Sequence, residues 1–348
     1  MGITIGIARD DRFLEHKTGH FHPEHPKRLD SIYRMIDRDF GTVKTSLLVF
    51  QAEPAPVDLI ERVHSPEHIR RILKTSEHRT THLAPDTPVS AKSYMAAWLA
   101  AGACLQGVDA LLGDTCQAFF ALIRPPGHHA LANRAGGFCI FNNIAIAARY
   151  ALHRYGLNRI LVIDWDIHHG NGIQALFYTD PRVLYISTHD QMLYPYSGEI
   201  AQTGADYGEG YTINAPIDRE MRDPDIISLY RCILRPVLHN FKPELIMVAA
   251  GFDAHQEDPL GRSRWTESAY AGITRLLLEY RKAIGGPPIF LALEGGYNPG
   301  ALANCIHSVL WELMQNDIAI SDLAPEQNIT TTLVAQLLKM HSKYGLMQ

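Results

Sequence analysis

RILVIDWDIHHGNG, residues 159–172, changes character at Asp164. The run Ile160-Leu161-Val162-Ile163 is apolar and does not alternate, the pattern of a strand buried on both faces. The next nine residues hold two aspartates, two histidines and two glycines. Polar groups at the end of a core strand are costly unless something satisfies them. The same join of apolar run and polar cluster recurs along the chain. AFFALI (118–123) leads to RPPGHH, VLYIS (183–187) to THD, LIMVAA (245–250) to GFDAH and PIFLAL (288–293) to EGGYN. Helical stretches fall between them. One is expected from about Ser90 to Leu112, a second from Asn142 to Gly156, and a third from Thr266 to Gly285. Strands alternating with helices predict an α/β fold, a mostly parallel central sheet with helices on both faces. In such sheets the ligand crevice lies at the strand carboxyl ends, so the polar clusters are expected to converge on one place.

Composition narrows the class. The chain has 348 residues, 46% of them apolar, and a net charge of −5 without a block of like charges. A single domain over residues 1–348 is expected, with no nucleic-acid groove and no membrane patch. The start, MGITIGIARDDRF, lacks a basic leader region and reads as a first strand, and no stretch reads as a membrane span. Cys104, Cys116, Cys139, Cys232 and Cys305 are scattered with no C-x-x-C pair. Reduced thiols in a cytoplasm fit this usage, and a Cys-rich structural zinc site does not.

The clusters point to a catalytic metal site. Asp164, Asp166 and His168 are spaced by two, so an extended chain points them the same way. Asp253 follows another strand. Two carboxylates and an imidazole leave positions for water and substrate, the composition of a catalytic zinc site. Fe(II), Co(II) or Mn(II) suit such ligands too, and Asp164 is a further candidate ligand. The adjacent His128 and His129 suit general acid/base work, with Asp164 and Asn171 as candidates to fix their tautomers. Tyr297, after Gly295-Gly296, is placed to donate its hydroxyl to an oxyanion. The four histidines His16, His20, His22 and His25 read as loop residues.

Taken together, RPPGHHA (124–130), GGFCIFNN (136–143), DWDIHHGNG (164–172), STHD (187–190), YP (194–195), AGFDAHQEDPLG (250–261) and EGGYN (294–298), with HPEHPKR (22–28), resemble the histone deacetylase superfamily of the arginase-deacetylase fold. The resemblance implies zinc on Asp166, His168 and Asp253, His129 as acid/base, and His128 paired to Asp164. It implies that Tyr297 polarises the acyl carbonyl. Gly137, Phe138 and Tyr194 would wall an acyl-lysine channel, and Arg28 would line an exit for acetate. Two potassium sites are implied, one from Asp164, Asp166, His168, Ser187 and Thr188, the other from Phe177, Asp180, Val183 and Tyr211. Asn171 in place of an aspartate is similar to the class II and bacterial branches, and should raise the His129 pKa less than a carboxylate would. Tyr194 stands where Phe is commoner.

The expected activity is hydrolysis of N-ε-acyl-lysine, acetyl-lysine above all, in peptides or proteins. The alternatives are an acetylpolyamine amidohydrolase and, more remotely, a non-catalytic acyl-lysine binding module. Leu260 in EDPLG resembles a residue of the channel rim, where the polyamine-selective branch carries a carboxylate. Asp86, in APDTPVS, resembles a rim aspartate that holds the substrate backbone. A two-manganese ureohydrolase would need a carboxylate at position 170, which is glycine.

Overall fold

The computed structural model describes residues 4–41, 47–315 and 331–348. Ten strands follow in chain order: β1 (Ile5–Ala8), β2 (Leu47–Phe50), β3 (Thr80–Ala84), β4 (Thr87–Ser90), β5 (Ala118–Ala121), β6 (Ile160–Asp164), β7 (Val183–His189), β8 (Thr212–Pro216), β9 (Leu245–Ala250) and β10 (Ile289–Leu293). Ten α-helices accompany them: α1 (Lys27–Asp39), α2 (Val57–Glu61), α3 (Pro66–Leu73), α4 (Ser93–Leu112), α5 (Asn143–Arg154), α6 (Asn171–Phe177), α7 (Asp223–Phe241), α8 (Glu267–Ala283), α9 (Pro299–Met314) and α10 (Thr331–His341). The first strand is where the sequence places it, although residues 1–3 lie outside the described residues.

Eight strands form one sheet in the order β2-β1-β5-β10-β9-β6-β7-β8, and every pairing in it is parallel. β3 and β4 form a separate antiparallel hairpin. Strands β1, β5, β6, β7, β9 and β10 are buried at every residue, as their unbroken apolar runs require. Helices α4, α5 and α6 pack together as one layer, and α1, α9, α8 and α7 as another. The core is one continuous apolar cluster running through sheet and helices.

Helix termini obey local rules. The Asn142 side chain accepts from the Ala145 amide to start α5, and the Thr266 side chain accepts from the Ser268 amide to start α8. The predicted helix at Ser90 begins three residues later, because Thr87–Ser90 is drawn into the hairpin. Helix α4 also corrects the reading that no stretch resembles a membrane span. It is 20 residues long and apolar enough to cross a bilayer, yet 78% of its apolar window is buried inside the protein. Two periodicities overlap there: a helix buried on most sides is apolar all round.

The order β5-β10-β9-β6 matters most. These four neighbours come from distant parts of the chain, and their carboxyl ends are level. Ala121 pairs with Ala292, Leu293 with Ala250, and Ala249 with Asp164. Whatever follows each strand therefore meets at one point.

Several buried histidines are neutral, and His64, His169 and His189 tie loops together through their ring nitrogens. Burial holds His64 and His169 near a pKa of about 3, and His189 and His341 near about 4. Unfolding returns them to the ordinary 6.5, so below that pH the unfolded chain binds more protons and the fold loses stability. Each group can cost up to about 1.4 kcal/mol per pH unit until its folded pKa is reached. Urea midpoints should therefore fall steadily from pH 6.5 to pH 4.5; a midpoint that stays flat across that range contradicts the neutral assignment.

Candidate active site

Strand β6 ends at Asp164, and the chain after it curls rather than staying extended. The extended reading of Asp164, Asp166 and His168 is thus corrected. The Asp166 amide donates to Asp164 Oδ1 at 3.2 Å, and the His168 amide donates to Asp166 Oδ1 at 2.9 Å. Each aspartate captures the amide two residues on, a turn its short side chain favours. The curl sends Asp164 one way and Asp166 and His168 another.

Asp166, His168 and Asp253 bring one ligand atom each to within 4.8 Å of the others. His168 Nδ1 lies 3.0 Å from Asp166 Oδ1 and 3.0 Å from Asp253 Oδ2. The remaining carboxylate oxygens are held by backbone. The Gly295 amide donates to Asp166 Oδ2 at 2.9 Å, and the Ile167 amide to Asp253 Oδ1 at 3.0 Å. A Cβ at position 295 would collide with both carboxylates, so only glycine lets the loop approach. Burial and the neighbouring Asp166 charge lift Asp253 to about 7, against the pull of His168. Two carboxylates crowded in a dry place, with an imidazole nitrogen between them, form a donor set that fits a divalent cation and leaves coordination positions open.

Loop 124–130 follows β5 and brings the two histidines. His128 Nδ1 pairs with Asp164 Oδ2 at 3.1 Å, and Tyr185 donates to the same oxygen at 3.0 Å. Burial lowers the His128 pKa, but the Asp166 and Asp164 carboxylates outweigh it and carry the ring to about 10. His129 Nδ1 pairs with Asn171 Oδ1 at 2.8 Å. Burial and then the charge of His128 hold His129 well below the ordinary range. The two rings lie 3.9 Å apart, centre to centre, one charged and one neutral. Asp164 and Asn171, the two orienting partners expected from sequence, are thus both in place.

Tyr297 lies on the loop after β10. Its amide donates to Asp258 Oδ2 at 2.6 Å, and the Arg28 guanidinium sits 5.0 Å from its ring centre. Burial and the charges of Asp253 and Asp166 raise the phenol well above its ordinary value, so it stays a donor. Arg28 is buried; it pairs with Glu24 and donates to the carbonyls of Glu294 and Gly296.

The walls are aromatic. Phe138 stands edge-on to Tyr297 at 5.6 Å, and Tyr194 edge-on to His129 at 4.9 Å. Gly137, at φ +57°, fits between them; a side chain there would strike His129 and Tyr194. Asp86 Oδ2 accepts from the Gly137 amide at 3.0 Å, and Oδ1 from the Thr87 hydroxyl at 2.8 Å. Asp86 therefore first fixes the wall, whatever else it binds. Leu260 is partly exposed and outside the core cluster, with its amide donating to Asp258 Oδ1 at 2.9 Å.

The residues implied to hold potassium are also located. Asp164 pairs in register with Ser187, next to Thr188. Ser187 Oγ bonds His189 Nδ1, and Thr188 Oγ1 bonds the Tyr230 hydroxyl, which leaves their carbonyls as the donors available to a cation. In the second set, the carbonyls of Phe177, Asp180 and Tyr211 accept from the amides of Asp180, Val183 and Tyr185, each with one lone pair to spare. The Asp180 carboxylate belongs to Arg149 and Arg182, which hold it down at about 2 against burial.

Sequence reading missed several residues. Glu294 is fully buried, and its Oε2 accepts from the Gly127 and His128 amides at 2.6 and 3.0 Å. Burial lifts it to about 7. Its place directly after an apolar run was the available signal. Glu24, bound by Arg28, Arg124 and His16, gave no signal of its Arg124 partner, which lies 100 residues on, though Arg28 stands four residues away. Asp258, which holds the amides of Tyr297, Leu260 and Gly261, had none either. Of the four N-terminal histidines, His16 is buried on Ser93 and Glu24, and His22 lies against Phe138; among the described residues they form no metal cluster.

Residues 22–313 match the family model of the histone deacetylase domain. A histone deacetylase-like amidohydrolase of Pseudomonas aeruginosa is 34% identical over 302 residues, covering 86% of this chain and 78% of that protein. A mouse protein, polyamine deacetylase HDAC10, is 38% identical over 270 residues, 72% of this chain but only 39% of the mouse protein. The crystal structure of the HDA15 HD domain superimposes with a TM-score of 0.90 at 31% identity, covering 98% of this chain and 95% of that one. The chain belongs to the histone deacetylase family, a family of deacetylases and amidohydrolases, and its fold is the arginase-deacetylase fold.

Asp166→Ala, His168→Ala and Asp253→Ala should each bind one equivalent of metal fewer than the wild type while the circular dichroism spectrum persists. Gly295→Ala should do the same by pushing a methyl into both carboxylates. Elemental analysis of the purified variants checks all four, and full metal occupancy in any of them contradicts the ligand assignment.

Proposed function

We propose that this hydrolase cleaves the amide of N-ε-acyl-lysine, acetyl-lysine above all, in peptides or proteins, with a divalent metal at Asp166, His168 and Asp253. The observation that carries the reading is that this open ligand set and the His128–His129 pair lie together at adjacent strand ends, with Tyr297 on the loop after β10 beside Phe138. His168 and His129 are 6.2 Å apart, centre to centre. Bound there, the ion, zinc with Fe(II) or Co(II) as alternatives, supplies Lewis acidity toward the acyl carbonyl and water.

The protein's own groups do the rest. Asn171 Oδ1 can only accept, so His129 carries its proton on Nδ1 and keeps a lone pair on Nε2. A neutral ring is a competent base: Nε2 takes a proton from water as its oxygen adds to the acyl carbon. The same proton then goes to the lysine nitrogen as the C–N bond breaks, giving carboxylate and free amine. His128, protonated against Asp164, holds a fixed positive charge beside the reacting atoms. Tyr297 donates its phenol to the oxyanion. Phe138 and Tyr194 grip the apolar lysine stem, with Gly137 admitting it between them. Arg28, directly behind Tyr297, suits the inner end of an exit for the carboxylate product.

Leu260 favours lysine substrates over acetylpolyamines. An apolar side chain gives a secondary ammonium no Coulomb attraction, whereas a carboxylate ~4 Å away is worth about 4 kcal/mol at an effective dielectric of ~20. The next carboxylate, Asp258, is turned inward onto three amides. A polyamine deacetylase among the relatives supports the alternative substrate class. A binding module without activity would have no need of the metal ligands, His129 and Tyr297 together. Potassium at the two carbonyl-rich sites and a cytoplasmic location complete the proposal.

Tyr297→Phe should keep the metal and lower kcat ~10²–10³-fold, the scale for one oxyanion donor; a change confined to KM makes Tyr297 a binding residue instead. His129→Ala should be at least as damaging, and a fully active variant removes His129 from the mechanism.

Substrate choice is tested by Leu260→Glu, which should raise turnover of N-acetylspermidine relative to an acetyl-lysine peptide. An unchanged ratio, or a tenfold preference of the wild type for N-acetylspermidine, overturns the lysine assignment.

A further inference from the structure

Beside the proposed metal centre lies a second set of ligand atoms that the reaction does not explain. Cys139 Sγ, a ring nitrogen of His128 and a carboxylate oxygen of Glu294 all lie within 4.8 Å of one another, and all three residues are buried. Both Glu294 amide contacts fall on Oε2, which leaves Oε1 buried with no partner. A buried carboxylate oxygen without a partner calls for a ligand of its own. The Cys139 thiol makes a weak bond, 3.3 Å, to the Gly137 carbonyl and meets the His129 backbone. His128 uses Nδ1 for Asp164, and its Nε2 lies 3.8 Å from Asp166 Oδ2. Sulfur, imidazole and carboxylate together make a softer donor set than the oxygen-rich set next door. A tetrahedral ion with bonds of about 2.0–2.3 Å would draw these atoms together by roughly 1 Å.

We infer that Cys139, His128 and Glu294 form a second site, selective for thiophilic divalent ions such as zinc, cobalt and cadmium, whose occupation inhibits the enzyme. On binding, the Cys139 S–H and His128 Nε2–H bonds break, sulfur–metal and nitrogen–metal bonds form and both protons leave to solvent, so affinity falls as pH falls. Glu294 Oε1 and His128 contribute lone pairs. Inhibition follows because the ion occupies His128 Nε2, the nitrogen that faces Asp166, and so removes the ring from its role beside the reacting atoms. Only this consequence rests on the proposed function; the site itself does not.

Cobalt(II) separates the two sites. A sulfur ligand gives cobalt a thiolate-to-metal charge-transfer band in the near ultraviolet, and the Asp166-His168-Asp253 set contains no sulfur. Titrating the metal-free full chain should show two equivalents by equilibrium dialysis, the tighter without the band and the weaker with it. Turnover, measured with zinc, should fall as the second equivalent fills. Cys139→Ala should lose the band and weaken the second equivalent roughly tenfold or more. Glu294→Gln should weaken it while keeping a band, and Asp166→Ala should lose the first equivalent but retain the band. A single equivalent without a band, or a band that survives Cys139→Ala, overturns the second site. A band without any sulfur-free equivalent overturns the catalytic metal reading and leaves this site standing. Full turnover with both equivalents bound overturns the inhibition.

Discussion

Four carboxylates, Asp164, Asp166, Asp253 and Glu294, are fully buried at the ends of three adjacent strands. Charge in such a place is expensive, and the surrounding structure can be read as the means of holding it. Asp164 is met by His128 and Tyr185, and Glu294 by two amides of the histidine loop. Asp166 and Asp253 share His168, and Asp166 takes two backbone amides and Asp253 one. What these contacts leave unneutralised is a local excess of negative charge, which a divalent cation would satisfy. Burial, and after it the Asp166 charge, lifts the pKa of Asp253 to about 7.

The parallel sheet makes this concentration possible. Parallel strands all present their carboxyl ends at one edge, and the register here sets those of β5, β10, β9 and β6 level. Each loop then begins with its backbone already fixed by a rigid strand. Around the rim, structure holds structure. Asp86 and Thr87 fix the amides of Gly137 and Phe138, and Asp258 fixes that of Tyr297. Arg28, itself paired to buried Glu24, braces the Tyr297 loop from behind. Such supports keep catalytic groups aligned without adding chemistry of their own.

The histidine pair shows how environment divides labour between identical side chains. His128 faces carboxylates and is driven toward the imidazolium. His129, one residue on, faces an amide oxygen and a positive neighbour and is kept neutral. One ring supplies charge and the other a lone pair, an arrangement set by partners from β6 and α6 rather than by the loop that carries both.

Much of this was legible in the chain itself. Non-alternating apolar runs gave the buried strands, Asn142 and Thr266 the starts of α5 and α8, and the polar clusters after the runs the residues that the fold brings together. These signals are local, because strand burial and capping depend on a few consecutive side chains. Other features depended on residues far apart. The strand order that makes β5, β10, β9 and β6 neighbours is a matter of topology. The curl that separates Asp164 from Asp166 follows from aspartates capturing nearby amides, a choice an extended reading passes over. Glu24, Asp258 and the free oxygen of Glu294 acquire meaning only from partners across the fold. Helix α4, not read as a membrane span, is long and apolar enough for one, and only the fold shows that its apolar surface is buried inside the protein. The sequence by itself determined which groups would be buried and reactive; tertiary structure decided which of them face one another, because a side chain's charge and protonation are set by neighbours that only the folded chain supplies.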